Sequence, residues 1–147
     1  MMNEYFYEDL EVGKKESFSV TVTEKMLDSF RDITGDDNPL HCDEKFAKEE
    51  GYDGRVAYGM LTASFLSTLA GVYLPGRYSL IQSVEVKFTK PVYIGDELTV
   101  TGEITETNDT CGLIFLKVAI TDGAGKKVCR AKMQIGVKKR DDQRRGI

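Results

Sequence analysis

One segment of the sequence would be apolar on almost every side if it folded as a helix. From Gly59 onward the apolar side chains are spread around most of the helical wheel and not along one stripe, at Met60, Leu61, Ala63, Phe65, Leu66, Leu69, Ala70 and Val72. A helix of this kind requires burial on most sides. Threonines and serines interrupt the segment, and it is too short to span a membrane. We therefore expect a buried helix that the rest of the chain encloses.

The pattern changes to strand periodicity after Pro75 and Gly76. Alternating apolar and polar residues, broken by turn signals, predict four strands: Ser79 to Phe88, Glu97 to Thr105, Gly112 to Thr121 and Lys127 to Lys138. The pairs Asn108-Asp109 and Asp122-Gly123 suit hairpin connections. The last three strands are therefore predicted to form an antiparallel meander, and the tail over 138–147 is predicted to be loose.

Shorter elements precede the apolar helix. Alternation predicts a strand from Lys15 to Val22, and Thr23 is a suitable cap for an amphipathic helix that ends near Gly35. The next residues, GDDNPLHC over 35–42, contain Pro39, which lacks an N–H and restricts the residue before it. We expect a fixed, non-helical turn there, followed by a short helix that Asp43 caps.

The order of these elements predicts the fold class. An enclosed helix followed by long antiparallel strands, with an earlier strand to complete the sheet, indicates an α+β fold in which a curved sheet wraps around the helix. The length of 147 residues fits a single domain over 1–147. An open sheet has unpaired edges, and a second copy is one common way to cover them. We therefore expect a homodimer or a higher homo-oligomer.

Composition excludes several classes of function. The net charge of −4 is too acidic overall for a protein that binds nucleic acid by neutralising many phosphates. Three cysteines without a CxxC pair, and a start without a signal-peptide pattern, predict a reducing, cytoplasmic location with no membrane association. One histidine and scattered acids lack metal-ligand spacing, so neither a metal nor a redox cofactor is expected.

The single histidine marks the first candidate site. His41 lies five positions after Asp36 across the Pro39 turn. A neutral imidazole can take or give a proton near physiological pH, and a nearby carboxylate can position a water or hold the ring's tautomer. Asn38 offers an amide that can orient a substrate carbonyl or tie down the backbone. A simpler interpretation stays open, in which Asp36 caps a turn and His41 is an ordinary hydrogen-bonded residue.

The start of the apolar helix is the second candidate. Tyr58-Gly59-Met60 opens this helix, and unpaired N–H groups at the positive end of a helix dipole can stabilise an oxyanion. The alternative is an ordinary helix start without a ligand.

These residues resemble a known family, the MaoC-like, R-specific enoyl-CoA hydratases and dehydratases of the hot-dog fold. GDDNPLHCD, over Gly35 to Asp43, is similar to the hydratase motif of that family. Gly59 to Ser64 resembles the start of its central helix. Val84 to Phe88, followed by Pro91-Val92 and Gly95-Asp96, resembles its next strand and turn.

The resemblance implies a reaction and a set of roles. Water adds to the β-carbon of a trans-2-enoyl thioester to give an R-3-hydroxyacyl thioester, or the reverse, with an acyl-CoA or acyl-carrier thioester as partner. Asp36 and His41 would be the catalytic pair that holds the water, and Asn38 would support their turn. The Gly59 N–H would stabilise the enolate-like oxygen. Ser64 would line the same pocket, unless its hydroxyl bonds back to its own helical turn.

The chain departs from the family at Tyr58, because family members often carry a histidine immediately before the Gly-Met pair. Asp36 and His41 are unaffected, so this departure bears on acyl-chain preference more than on reaction type. Two other functions stay open: an acyl-CoA thioesterase, since the same fold also carries thioester hydrolysis, and a non-catalytic subunit or sensor that binds acyl thioesters. The presence of both members of the pair argues against a purely binding role.

Two further features are weaker. Cys42 invites a nucleophile interpretation, but adjacent side chains usually point in different directions and the family does not require a thiol there. Several cations are candidates for phosphate contact, although a basic tail is more often a solvated end. They are Arg55, Arg77, Lys87, Lys90, Lys138, Lys139, Arg140, Arg144 and Arg145.

Overall fold

One antiparallel sheet organises the fold in the computed structural model, which describes residues 1–141. Its strands are β1 (Lys15–Thr21), β2 (Ser79–Phe88), β3 (Glu97–Asn108), β4 (Leu113–Thr121) and β5 (Lys127–Val137). They lie in the order β1-β3-β4-β5-β2. The predicted α+β class and the meander of the last three strands are confirmed. The meander does not include β2, which pairs with β5 across the sheet from β3.

Four α-helices connect to this sheet: α1 (Glu24–Thr34), α2 (Pro39–Cys42), α3 (Glu44–Glu49) and α4 (Gly59–Thr68). A 3₁₀ turn over Tyr7–Asp9 precedes them. The Thr23 side chain accepts the Met26 N–H at the start of α1, and Gly35 ends it in the left-handed conformation at φ 73°. Both ends of α1 are as the sequence predicts.

The inner face of the sheet packs against the apolar segment. The core contains Leu66 and Leu69 from this segment together with Val100 and Ile104 of β3 and Met133 of β5. Each fully buried aliphatic side chain of this size contributes about 2 kcal/mol to stability relative to leaving it in water. Met60 is an exception to the predicted all-round burial, since it is 66% exposed. The N-terminal end of α4 therefore leaves one apolar side chain uncovered in the described residues.

Two predicted boundaries are wrong for local reasons. The turn over 35–42 is not irregular throughout, because Pro39 starts the short helix α2 at a position where a missing N–H has no cost. The apolar helix does not continue unchanged to Val72. It ends at Thr68 and widens into a π-helical turn over Leu69–Tyr73, which packs against β1, β2 and β3.

The tail predicted to be loose is fixed where the structure describes it. The Lys138 N–H bonds to the Tyr78 carbonyl, and its own carbonyl accepts the Tyr7 N–H. Lys139 donates to the Asp109 carbonyl, and Arg140 pairs with Asp9. These cations are therefore engaged by the protein itself. Arg144 and Arg145, with the rest of 142–147, lie outside the described residues.

The helices can also be compared with the thickness of a membrane. Within residues 1–141, none of them combines the length and the apolar character that a membrane span requires.

Gly102 tests the packing between the sheet and the apolar segment. A Cβ added at Gly102 would lie 2.8 Å from Cδ2 of the fully buried Leu69. We expect Gly102→Ala to lower the free energy of unfolding by about 1–3 kcal/mol through overpacking, measured by urea denaturation. Gly123→Ala is the matched control, because no atom lies within 4 Å of its added Cβ. Equal midpoints for the two variants would contradict this account of the core.

Candidate active site

The turn between α1 and α2 fixes its shape through its own side chains. Asp36 Oδ1 accepts the Asn38 N–H at 3.1 Å, and Asn38 Oδ1 accepts the Leu40 N–H at 3.0 Å. Asn38 thus caps α2, and Pro39 occupies the first helical position. The other Asp36 oxygen, Oδ2, forms no hydrogen bond within the described residues. Asp36 therefore has one carboxylate oxygen bonded to the Asn38 N–H and the other exposed to solvent.

His41 has a defined tautomer. Its Nδ1 lies 2.7 Å from the Val56 carbonyl oxygen, and a carbonyl only accepts hydrogen bonds. Nδ1 of the neutral ring therefore carries the proton, and the Nε2 lone pair is left as the basic position. The Val56 N–H returns a bond to the Leu40 carbonyl at 3.1 Å, so the two segments are joined in both directions.

The Tyr58 side chain contacts both Asp36 and His41. Its hydroxyl donates to the Asp36 carbonyl at 2.6 Å, and its ring stacks on the His41 ring with centroids 4.2 Å apart. The residue is only 2% exposed, so it lies beneath the pair and is not an open wall beside it. Burial, followed by the hydrogen bond with Cys42, raises the Tyr58 pKa, which keeps the hydroxyl protonated as a donor.

Gly59 follows Tyr58 directly and begins α4. Tyr58, as the N-cap residue, makes no side-chain cap hydrogen bond, so it leaves the first N–H groups of the helix without that partner. The Phe88 ring approaches so closely that a Cβ on Gly59 would lie 3.3 Å from it. Gly59 follows the residue that contacts both Asp36 and His41, so its N–H begins α4 close to their turn, as a candidate oxyanion donor.

The Ser64 hydroxyl is bonded within its own helix and not to Asp36, Asn38 or His41. Ser64 lies further along α4, and its hydroxyl donates to the Leu61 carbonyl at 2.5 Å. This is the alternative in which the hydroxyl bonds back to its own helix.

Arg55 has a role that the sequence does not reveal. Its Nε donates to the His41 carbonyl at 2.7 Å, and its terminal nitrogens pair with Glu24 at 3.3 Å and Asp28 at 2.9 Å. Its side chain is 12% exposed, so the guanidinium is a clamp between α1 and the turn and not a free phosphate contact. Two other candidate cations are also paired, Arg77 with Glu4 and Lys90 with Asp122.

No cluster of His, Cys, Asp and Glu suited to a metal ion occurs in residues 1–141. Cys42 lies with Sγ 3.4 Å from the Tyr58 hydroxyl. The Cys42 thiol therefore contacts Tyr58, the residue that itself contacts Asp36 and His41.

Fold and site together define a class of protein: hot-dog α+β domains in which a sheet encloses an apolar helix and an Asp–His turn lies at that helix's N-terminus. The chain belongs to the MaoC-like domain family, whose profile matches residues 9–124. The family resemblance and the predicted hot-dog fold are both confirmed.

Individual relatives agree with this assignment. An (R)-specific enoyl-CoA hydratase of Aeromonas caviae is 37% identical over 118 residues, covering 80% of this chain and 88% of the relative. One of Rhodospirillum rubrum with the same name is 35% identical over 101 residues, covering 69% and 70%. The solved structure of the unliganded R-hydratase PhaJ1 from Pseudomonas aeruginosa superposes with a TM-score of 0.87 at 30% identity, covering 91% of this chain and 86% of that one.

The clamp formed by Arg55 generates a prediction about stability. Arg55→Met should remove the bond to the His41 carbonyl and leave Glu24 and Asp28 without their partner. We expect the free energy of unfolding to fall by about 1–3 kcal/mol, measured by urea denaturation. Arg77→Met, at an exposed ion pair, should change it by less than about 1 kcal/mol. A smaller loss for Arg55→Met than for this control would show that the clamp does not stabilise the turn.

Proposed function

We propose that this protein is a hydro-lyase that reversibly adds water to a trans-2-enoyl-CoA to give an R-3-hydroxyacyl-CoA. The observation that carries the proposal is the fixed His41 tautomer, which leaves Nε2 basic on a turn that also presents the Asp36 carboxylate. The relatives described above are named as hydratases of this specificity. Residues 1–147 act as one domain, an assignment supported by the single sheet that joins β1 to β5.

The pair divides the work on one water molecule. The Asp36 carboxylate accepts one hydrogen of the water and orients it, while His41 Nε2 accepts the other hydrogen as a proton. The water oxygen bonds to the β-carbon, and the electrons of the carbon–carbon double bond move toward the thioester. The imidazolium then returns its proton to the α-carbon. Dehydration is the reverse, with the proton taken from the α-carbon and hydroxide leaving as water.

Negative charge on the thioester oxygen needs a donor during this step. The Gly59 N–H at the start of α4 is suited to that role, because a helix N-terminus presents unpaired donors with a favourable dipole. Asn38 acts through the turn that it caps. Ser64 would line the same pocket without donating to the substrate, since its hydroxyl is bonded to the Leu61 carbonyl within α4.

The reaction is assigned to the cytoplasm. Cys42, Cys111 and Cys129 are all among the described residues, and none of them forms a disulfide. Free thiols of this kind are typical of a reducing compartment.

A second copy of the chain completes the sheet at β2. Val84 and Phe88 lie on the inner face of this edge strand and are 44% and 49% exposed, whereas Phe18 and Val20 on the inner face of the other edge, β1, are half-buried. Pairing of two β2 edges would cover these apolar side chains and satisfy the unpaired backbone groups. Phe88 contacts Gly59, so this interface would lie beside the site.

Catalysis by the pair is tested with crotonyl-CoA. Asp36→Asn keeps an oxygen acceptor for Asn38 but removes the charge, and His41→Ala removes the base. Each should lower kcat by about 10²–10⁴-fold, measured as loss of enoyl thioester absorbance. Asp37→Asn is the matched control, because Asp37 pairs with Arg31 on the exposed surface and should keep wild-type kcat. Unchanged rates in folded Asp36→Asn and His41→Ala would overturn the proposal.

A free-thiol assay on the same samples separates the alternatives. Hydration consumes the absorbance without releasing thiol, and chiral analysis should then give the R product. Thiol release would identify a thioesterase instead. Binding of crotonyl-CoA without either signal would identify a non-catalytic acyl-thioester-binding protein.

The β2 interface predicts the state in solution. The wild type should sediment at twice the chain mass of 16.5 kDa, and Val84→Lys should shift it toward the monomer because it places a charge in an apolar contact. Thr21→Lys, at the β1 edge, should remain dimeric. Sedimentation of the wild type as a monomer, or an unchanged Val84→Lys dimer, would exclude this interface.

A further inference from the structure

We propose that Tyr58 is the positioning residue that holds Asp36, His41 and Gly59 in one geometry for catalysis. The inference rests on the proposed function, because it assigns Tyr58 a part in the same site. It differs from an effect on acyl-chain preference, which is what the sequence position alone suggests. The buried Tyr58 side chain contacts four residues: Asp36, His41, Phe30 and Cys42.

The hydroxyl connects two distant parts of the chain. It reaches the Asp36 carbonyl at 2.6 Å across 22 residues of sequence. Asp36 itself is exposed, and its own side-chain bond is local, to Asn38 two residues away. Among the described hydrogen bonds of this turn, the Tyr58 bond is the one that ties Asp36 to the start of α4. It therefore sets where the carboxylate lies relative to Gly59.

The ring supports the base. It contacts His41, with centroids 4.2 Å apart and planes at 29°, and Phe30 of α1, with centroids 4.8 Å apart. The Val56 carbonyl fixes which imidazole nitrogen carries the proton. The stack against a buried ring fixes the plane of the imidazole, and thus the direction of the Nε2 lone pair.

The Tyr58 hydroxyl is the donor to the Asp36 carbonyl, and Cys42 lies beside this bond. The hydroxyl donates its one hydrogen to this carbonyl, and Cys42 Sγ lies 3.4 Å from the Tyr58 oxygen and 3.9 Å from the same carbonyl. Desolvation raises the Tyr58 pKa, and the hydroxyl keeps its hydrogen throughout the neutral range. The hydroxyl is therefore able to donate to the Asp36 carbonyl at neutral pH.

The first test removes only the hydroxyl. Tyr58→Phe keeps the ring and should lower kcat for crotonyl-CoA about tenfold, the kinetic equivalent of one intramolecular hydrogen bond, with KM changed by less than about twofold. Tyr7→Phe is the matched control, since Tyr7 is also buried and donates to Asp109 at 2.5 Å at a distance from the site. It should lose similar thermal stability and keep wild-type kcat. A kcat within about twofold of wild type for Tyr58→Phe, or an equal loss in Tyr7→Phe, would overturn the proposal.

The second test does not depend on activity. Because His41 is the single histidine of the sequence, its ring nitrogens can be assigned directly by ¹⁵N NMR of protein without a histidine tag. Wild type and Tyr58→Phe should both show the tautomer protonated at Nδ1. Tyr58→Leu removes the stacked ring, so the imidazole plane is no longer held toward the Val56 carbonyl. The shifts should then average toward a mixture of tautomers. An unchanged ring signal in Tyr58→Leu would overturn the support of His41 by Tyr58.

The two tests separate the two proposals. If the wild type fails to hydrate crotonyl-CoA, the proposed function is wrong, and the NMR result alone decides whether Tyr58 positions His41. If the wild type is active and Tyr58→Phe is fully active, the hydratase assignment stands and the positioning role is wrong.

Discussion

The enclosure of one apolar segment by the sheet is the constraint on which the rest of the structure depends. Leu66 and Leu69 are buried against the inner face, and Gly102 of β3 leaves space for Leu69 by having no side chain. Once α4 is seated in this way, its first residues have a fixed position at the rim of the sheet. Tyr58 and Gly59 occupy that position, so packing of the core determines where the chemistry can occur.

The same arrangement explains why the residues of the candidate site, which come from separate segments, lie together. The turn carrying Asp36 and His41 is attached to α1 through its chain and through Arg55, which contacts both α1 and the His41 carbonyl. The segment before α4 supplies the Val56 carbonyl and the Tyr58 side chain. Arg55 thus orients the turn through ion pairs and a hydrogen bond, and the buried Tyr58 and the Val56 carbonyl orient it from the α4 side.

Much of this could be predicted from sequence, and the exceptions have physical causes. Thr23, Gly35 and Asp43 signal helix ends through local chemistry, and the structure places the ends there. The position of β2 beside β5 depends on long-range pairing, which no local pattern records. The Val56 carbonyl is a backbone group without a residue-type signal. Arg55 looks like any exposed cation in the sequence, because its acidic partners lie on α1, 27 and 31 residues away.

The hydrogen bonds of the turn also imply an order of assembly during folding. The bonds from Asp36 to Asn38 and from Asn38 to Leu40 each span two residues, and contacts this local form early because they close almost no loop. The bonds that orient the site, from His41 to Val56 and from Tyr58 to Asp36, span 15 and 22 residues. A nascent or partly folded chain would therefore carry the correctly shaped turn before it carries an oriented imidazole, and catalytic competence would be acquired only when the central helix docks.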